Sequence, residues 1–336
     1  MIRNHQWFSD LSAYSASWEH IEDGKVVRRG TLRLPACDPQ KSVLVDVPVD
    51  VSAEAREAFL NVTITLRRET AWAPAGHVVA WDQVVLQKPT SRSALRPSDS
   101  VRRSAPPIEI DPRVTIWRAA IDNDGFKLMP HLWRGFGRSL ERWLGQGIPF
   151  DDADLVTSSS TYSNNSDGSV RWRHEITVPS SLRDIPRVGV WFELPARFTH
   201  MRWFGRGPHE NYPDRCASAM VGVWEKTPDE LPYVMPQEFG LRTDCRWVEF
   251  VDRERRQAIR IDAVNTPFHF SATHHRSEDL FLARDVTELR RRSQLVVHLD
   301  VAHRGLGTAS CGPDTLPRYL INEGQFILEY VVSGRR

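Results

Sequence analysis

Arg202-Trp-Phe-Gly-Arg-Gly-Pro-His-Glu-Asn-Tyr-Pro-Asp-Arg215 changes character half-way along. Its first residues end a strand, for Val188-Gly-Val-Trp-Phe-Glu-Leu194 alternates apolar and other residues and Phe198 to Phe204 again carries aromatics. From Gly205 the chain has to turn. Gly205 and Gly207 open φ > 0, and Pro208 and Pro213 remove backbone donors, so neither helix nor regular strand continues. Arg206, His209, Glu210, Asp214 and Arg215 follow one another closely, enough opposite charge to pair among themselves or to line a polar pocket. His209 beside Glu210 leaves two readings open: a loop whose charges satisfy each other, and a site of binding or proton transfer.

Outward from this stretch the pattern is β in both directions. Ala16-Ser-Trp-Glu-His-Ile-Glu22 leads into Asp23-Gly24, a hairpin signal, and Lys25-Val-Val-Arg-Arg-Gly-Thr-Leu-Arg-Leu34 resumes the strand. Ser42 to Val51 alternates, and Phe59-Leu-Asn-Val-Thr-Ile-Thr-Leu-Arg67 does so more strictly. About seven such segments in about ninety residues suggest an immunoglobulin-like sandwich over residues 1–88. Residues 89–112 are rich in Pro, Ser and Arg and read as a linker. From residue 113 to 336 a further dozen or so strands make a large antiparallel sandwich, so the fold class is all-β. One exception is Met129 to Leu144, where Leu132, Phe136, Leu140 and Leu144 recur at helical spacing, weakened by Gly135 and Gly137.

The 336 residues suffice for two domains, and 40% hydrophobic residues for packed cores. With 44 basic and 43 acidic residues the net charge is +1, which offers no bulk field to recruit nucleic acid or a membrane surface. No window approaches the ~20 apolar residues of a membrane helix, and Met1-Ile-Arg-Asn-His-Gln-Trp7 lacks the apolar core of a signal peptide, so a cytoplasmic location is expected. Cys37, Cys216, Cys245 and Cys311 lack the paired spacing of metal or redox motifs and are expected as reduced thiols. His274-His275 would point to opposite faces of a strand, and Asp122-Asn-Asp124-Gly is too short for a calcium loop, so no metal site is expected on this chain.

Trp203-Phe-Gly-Arg-Gly-Pro-His-Glu-Asn-Tyr-Pro-Asp-Arg215 resembles the motif of the last domain of the large bacterial β-galactosidases of glycoside hydrolase family two. Trp117-Arg-Ala-Ala-Ile-Asp-Asn-Asp124, Pro232-Tyr-Val-Met-Pro-Gln-Glu-Phe-Gly240 and His303-Arg-Gly-Leu-Gly-Thr-Ala-Ser-Cys-Gly-Pro-Asp314 match the same family in the same order. Asn4-His-Gln-Trp-Phe-Ser-Asp-Leu-Ser12 and His77-Val-Val-Ala-Trp-Asp82 resemble the start and end of the immunoglobulin-like domain that precedes it. The resemblance implies a last domain similar to galactose mutarotase. It also implies a linker region shortened relative to the family, which would leave sandwich edges uncovered and favour self-association.

A retaining glycosidase needs two carboxyl groups ~5 Å apart. In the resembled family both are glutamates of a TIM barrel, which also supplies most of the magnesium and sodium ligands, and this chain has no barrel pattern. The resemblance therefore implies no catalytic residue here. It points to a separate small subunit or a truncated product, inactive without a barrel-bearing large subunit that would hold the metals. The implied substrates are β-galactosides such as lactose. What the last domain contributes in the family is a loop that closes the sugar pocket, matched by Gly305 to Asp314, with Cys311 where many members place a tryptophan. Two alternatives stay open: a carbohydrate-binding module, and a mutarotase-like epimerase using His209 and Glu210.

Overall fold

The computed structural model describes residues 1–88, 103–125, 138–151, 153–228 and 232–335. They fall into two compact units, Met1–Ala94 with Met220–Gly222, and Leu95–Ala219 with Val223–Arg336. In the first, the strands are β1 (Ile2–Arg3), β2 (Tyr14–Glu22), β3 (Lys25–Leu32), β4 (Ser42–Val43), β5 (Ala58–Leu66) and β6 (Val78–Gln87). Four of them form an antiparallel sheet ordered β3-β2-β5-β6, and β1 pairs with β4 in a short ribbon. Asp23 (φ 47°) and Gly24 (φ 80°) both take the left-handed conformation that a tight hairpin with right-handed twist demands. Ala16, Trp18, Leu32 and Leu60 are buried on one face of the sheet. Val45, Val47 and Val49 pack on that face, so the alternation after Ser42 is real, but only Ser42 and Val43 enter a ladder. The rest is an extended cover whose alternate valines supply apolar surface without strand pairing.

Among the described residues twelve further strands form two antiparallel sheets, all within the second unit except Met220–Gly222 at the start of the sixth. In chain order they are β7 (Arg113–Thr115), β8 (Thr157–Asn164), β9 (Val170–Val178), β10 (Arg187–Pro195), β11 (His200–Gly207) and β12 (Met220–Lys226). There follow β13 (Arg242–Cys245), β14 (Trp247–Asp252), β15 (Gln257–Ala263), β16 (Phe268–Thr273), β17 (Gln294–His303) and β18 (Gly324–Arg335). One sheet runs β13-β16-β17-β10-β7, the other β12-β11-β14-β15-β18-β9-β8. Val190, Phe192 and Leu194 of β10 and Phe268 and Phe270 of β16 meet Trp203, Phe250, Ile261 and Tyr330 of the larger sheet in one core. The period-2 alternation seen in the sequence is thus the inner faces of a two-layer sandwich.

Of the stretch read as a linker, residues 89–102 lie outside the described residues. Beyond them Ser104 exchanges both backbone hydrogen bonds with Gly334 of β18, at 3.1 and 2.8 Å, and Ile110 is buried in the core. Of the helical spacing from Met129 onward, Leu132 and Phe136 also lie outside the described residues. Helix α1 (Ser139–Gly145) follows and turns Leu140 and Trp143 into a second core cluster with Trp117, Ile176 and Val188. Among the described residues two further short α-helices follow, α2 (Ile148–Asp151) and α3 (Ser277–Leu282). No helix among the described residues is long and apolar enough to cross a membrane.

His174 of β9 is buried between the rings of Trp172 and Tyr330, each with centroids 5.6 Å away. It bonds the Ser160 hydroxyl at 2.7 Å and the Tyr330 hydroxyl at 3.0 Å. Burial pulls its pKa from 6.5 down to about 4. Between those values the unfolded chain takes up a proton that the folded chain refuses. The stability held above pH 6.5 is therefore lost as pH falls toward 4, at up to about 1.4 kcal/mol per pH unit from this one group. Denaturant unfolding at a series of pH values checks this: in His174→Gln the decline over that interval should be shallower than in the unmodified chain.

Candidate functional site

Arg304 follows the last residue of β17 and is fully buried, so its charge requires anionic partners. It finds them at three places in the chain. The guanidinium pairs with Asp184, with Asp314 at 3.0 Å and with Asp124 at 3.5 Å. It also donates to the Gly305 carbonyl at 3.1 Å and the Thr315 hydroxyl at 2.8 Å. Gly305 and Asp314 are the two ends of the loop singled out in the sequence, so one cation closes that loop at its base. Arg142 of α1 pairs with both Asp184 and Asp314, and Arg118 pairs with Asp124 at 2.7 Å inside the same cluster. Burial works to raise the Asp314 pKa, but hydrogen bonds from Arg142, the Thr315 amide and Arg304 hold it below the usual carboxylate value.

The flanks of the loop are held as firmly as its base. The Asp214 carboxylate accepts the amides of Leu306 at 2.9 Å and Gly307 at 2.8 Å. Asn123 donates to the Gly307 carbonyl at 2.7 Å and accepts from the Ser310 amide and hydroxyl at 3.1 and 2.6 Å. Gly307 sits at φ +63°, where a Cβ would meet the Thr315 hydroxyl oxygen at 2.6 Å, so no larger residue fits without rearrangement. At the tip the Cys311 and Gly312 amides donate back to the Thr308 carbonyl at 3.1 and 2.7 Å. Cys311 itself is exposed.

Asp214 belongs to the Arg202–Arg215 stretch, Asn123 to the Trp117–Asp124 stretch, and the loop to a third. The fourth joins through Gln237, whose side-chain oxygen accepts the Asp122 amide at 3.2 Å, and through Gly240, whose amide donates to Glu210 at 2.8 Å. Four stretches that are far apart in the chain therefore interlock around one presented loop.

The chain matches the family described as β-galactosidase small chain over residues 99–332, and β-galactosidase domain 4 over residues 1–87. It belongs to the β-galactosidase small-chain family. The β-galactosidase of Arthrobacter sp. strain B7 is 29% identical over 95% of this chain and 38% of its own length. The β-galactosidases of Vibrio vulnificus strain YJ016 and Streptococcus thermophilus are 25% and 26% identical over 91% and 94% of this chain. The chain spans little more than a third of the length of these relatives.

In this member of the small-chain family the charged residues around Gly205 do not pair among themselves. Arg206 pairs with Asp244 at 2.6 Å, Asp214 grips the loop, and Glu210 accepts from Tyr233, Tyr212 and Gly240. Both oxygens of Glu210 are thus engaged by protein donors. Its neighbour His209 is exposed and bonds Ser218 at 3.0 Å, so adjacent residues have separate partners. His274 and His275 lie just past the end of β16 rather than within it. His274 bonds the Gln294 carbonyl at 3.0 Å, and among the described residues no cluster of His, Cys, Asp and Glu is arranged to hold a metal.

Arg142 and Asp184 lie in none of the four stretches and join the Arg304 cluster only in three dimensions, Asp184 by pairing with Arg304 and Arg142 by pairing with Asp184 and Asp314. Arg304 and Asp214 lie within the motifs, yet nothing in their spacing reveals which backbone groups they hold. Replacing Asp214 with Asn removes the charge from two hydrogen bonds that fix the loop. Backbone amide exchange in Asp214→Asn should accelerate at Leu306 and Gly307 by roughly ten- to hundred-fold, the equivalent of about 1.5–3 kcal/mol for a bond to a charged group, while core strands stay protected. Unchanged exchange at both amides would mean that the carboxylate does not hold the loop.

Proposed function

We propose that this chain is the C-terminal part of a β-galactosidase that hydrolyses terminal non-reducing β-D-galactose residues. It acts with a larger part bearing a TIM barrel, the two catalytic glutamates and the magnesium and sodium sites. In this reading the Gly305–Asp314 loop forms part of the wall of the galactoside pocket, with Cys311 at the position nearest the sugar. The observation that carries the reading is the polar network that holds one exposed loop: the buried charge of Arg304, the half-buried carboxylate of Asp214 and the amide of Asn123 all bond it, and its tip contacts solvent. Membership of the small-chain family supports it, as does the likeness of nearly the whole chain to relatives named β-galactosidase. The mutarotase-like alternative needs Glu210 as a proton donor or acceptor, and its engaged oxygens favour the β-galactosidase reading instead.

The chain by itself should show no turnover of a chromogenic galactoside, and co-expression with a barrel-bearing β-galactosidase part should yield an active complex. In that complex a bulky thiol reagent should inhibit, bound galactoside should protect, and Cys311→Ser should abolish the sensitivity, which separates Cys311 from the partly exposed Cys216. Cys311→Trp should tighten galactoside binding about two- to ten-fold, because a stacked aromatic contributes about 0.5–1.5 kcal/mol. Complete modification of Cys311, verified by mass, with activity unchanged would remove the loop from the pocket wall. Turnover by the purified chain alone, lost on substitution within it, would overturn the dependence on a partner.

A further inference from the structure

A sheet that ends in a long bare strand is a template for further pairing, and proteins defend such edges with charge, proline, bulges or brevity. Among the described residues, most edges of the three larger sheets are defended in this way. β3 carries Lys25, Arg28 and Arg29, β6 carries Asp82, and β12 ends in Glu225 and Lys226. β7 has three residues and β13 four, each including an arginine. β8 is different. Thr157-Ser-Ser-Ser-Thr-Tyr-Ser-Asn164 has eight residues, no charge and no proline, and pairs with β9 in unbroken register from Thr157↔Thr177 to Asn164↔Val170. All eight are exposed, so neither face of the strand is covered. Alternate residues along its outer edge point N–H and C=O groups away from β9.

We propose that β8 pairs antiparallel with β8 of a second copy of this chain about a two-fold axis, joining two seven-stranded sheets into one continuous sheet. The choice of occupant follows from the composition of the strand. Opposite residues of an antiparallel pair share a face. Thr157, Ser159, Thr161 and Ser163 therefore meet the same set from the other copy in every allowed register. Self-pairing sets hydroxyl against hydroxyl and brings no like charges together, whereas any of the charged edges would oppose its own sign. The nearest charges on that face are Arg171, Arg173 and Glu175 of β9, and they are already paired, Arg173 with Glu175 at 2.7 Å and Arg171 with Glu329 at 2.7 Å. Tyr162, tilted over Trp172 with centroids 5.1 Å apart, adds aromatic surface on the opposite face. A two-fold contact is closed, so the product is a dimer and not a fibre. One strand buries less than the roughly 1,200–2,000 Å² of a standard interface, which puts the contact among the weak, reversible ones.

The test is sedimentation velocity on the full chain from roughly 1 to 100 µM, a range suited to weak, reversible contacts. A concentration-dependent monomer–dimer equilibrium is expected. Ser159→Lys with Thr161→Lys, and separately Ser159→Glu with Thr161→Glu, should each weaken it by at least about ten-fold through like-charge repulsion, and an equimolar mixture of the two should recover dimer. Circular dichroism matching the unmodified chain establishes that both variants are folded. A monomer throughout the range overturns the proposal. So does a dimer whose dissociation constant is the same in all preparations, since association would then use another surface.

Discussion

The second unit depends on keeping the charge of the fully buried Arg304 compensated. A buried guanidinium with one partner removed costs about 3–5 kcal/mol, so the segments that bring Asp184, Asp314 and Asp124 cannot move independently. Asp184 lies between β9 and β10, Asp124 in the turn after Trp117, and Asp314 at the far end of the loop. One cation therefore fixes three pieces of irregular backbone that no ladder could fix. Trp143 extends the arrangement into the apolar core. Arg118 and Arg304 lie against its ring at 5.1 and 5.7 Å, and its indole N–H donates to the Asp184 carbonyl. Cation, carboxylates and aromatic ring form a single polar-to-apolar junction.

A second buried cation, Arg187, is less fully matched. It pairs with Glu238 and lies 3.5 Å from Asp300, whose carboxylate oxygens accept no hydrogen bond among the described residues. Burial pushes the Asp300 pKa up to about 7 against the pull of Arg187. The contrast with Arg304 is instructive. Arg304, with every guanidinium nitrogen bonded, supports a loop at the surface. The network of Arg187 is incomplete and remains within the sandwich, beside β10 and β17, and presents nothing outward.

Most of the fold was legible because strand patterning is local. Val190, Phe192 and Leu194 announce an inward face by their spacing, and Asp23-Gly24 announces its hairpin by composition. The segment after Ser42 misled for a physical reason: alternate valines are what a covering segment needs, whether or not its backbone pairs. β8 gave no signal at all, since Thr157 to Asn164 has no buried face and hence no apolar alternation. The loop could be located from its glycines and its motif, but its supports could not. Asp184, held at φ 53°, reaches Arg304 from 120 residues away, and long-range charge pairing leaves no periodicity in a sequence.

The loop from Gly305 to Asp314 separates scaffold from tip. Among the described residues the hydrogen bonds that hold it run through backbone groups or through Ser310, Thr308, Asp314 and Thr315, and none uses the Cys311 side chain. Position 311 is thus an interchangeable fitting on a fixed mount. Evolution can exchange thiol for indole or hydroxyl there and retune whatever surface the loop meets, without reopening the question of how the domain folds.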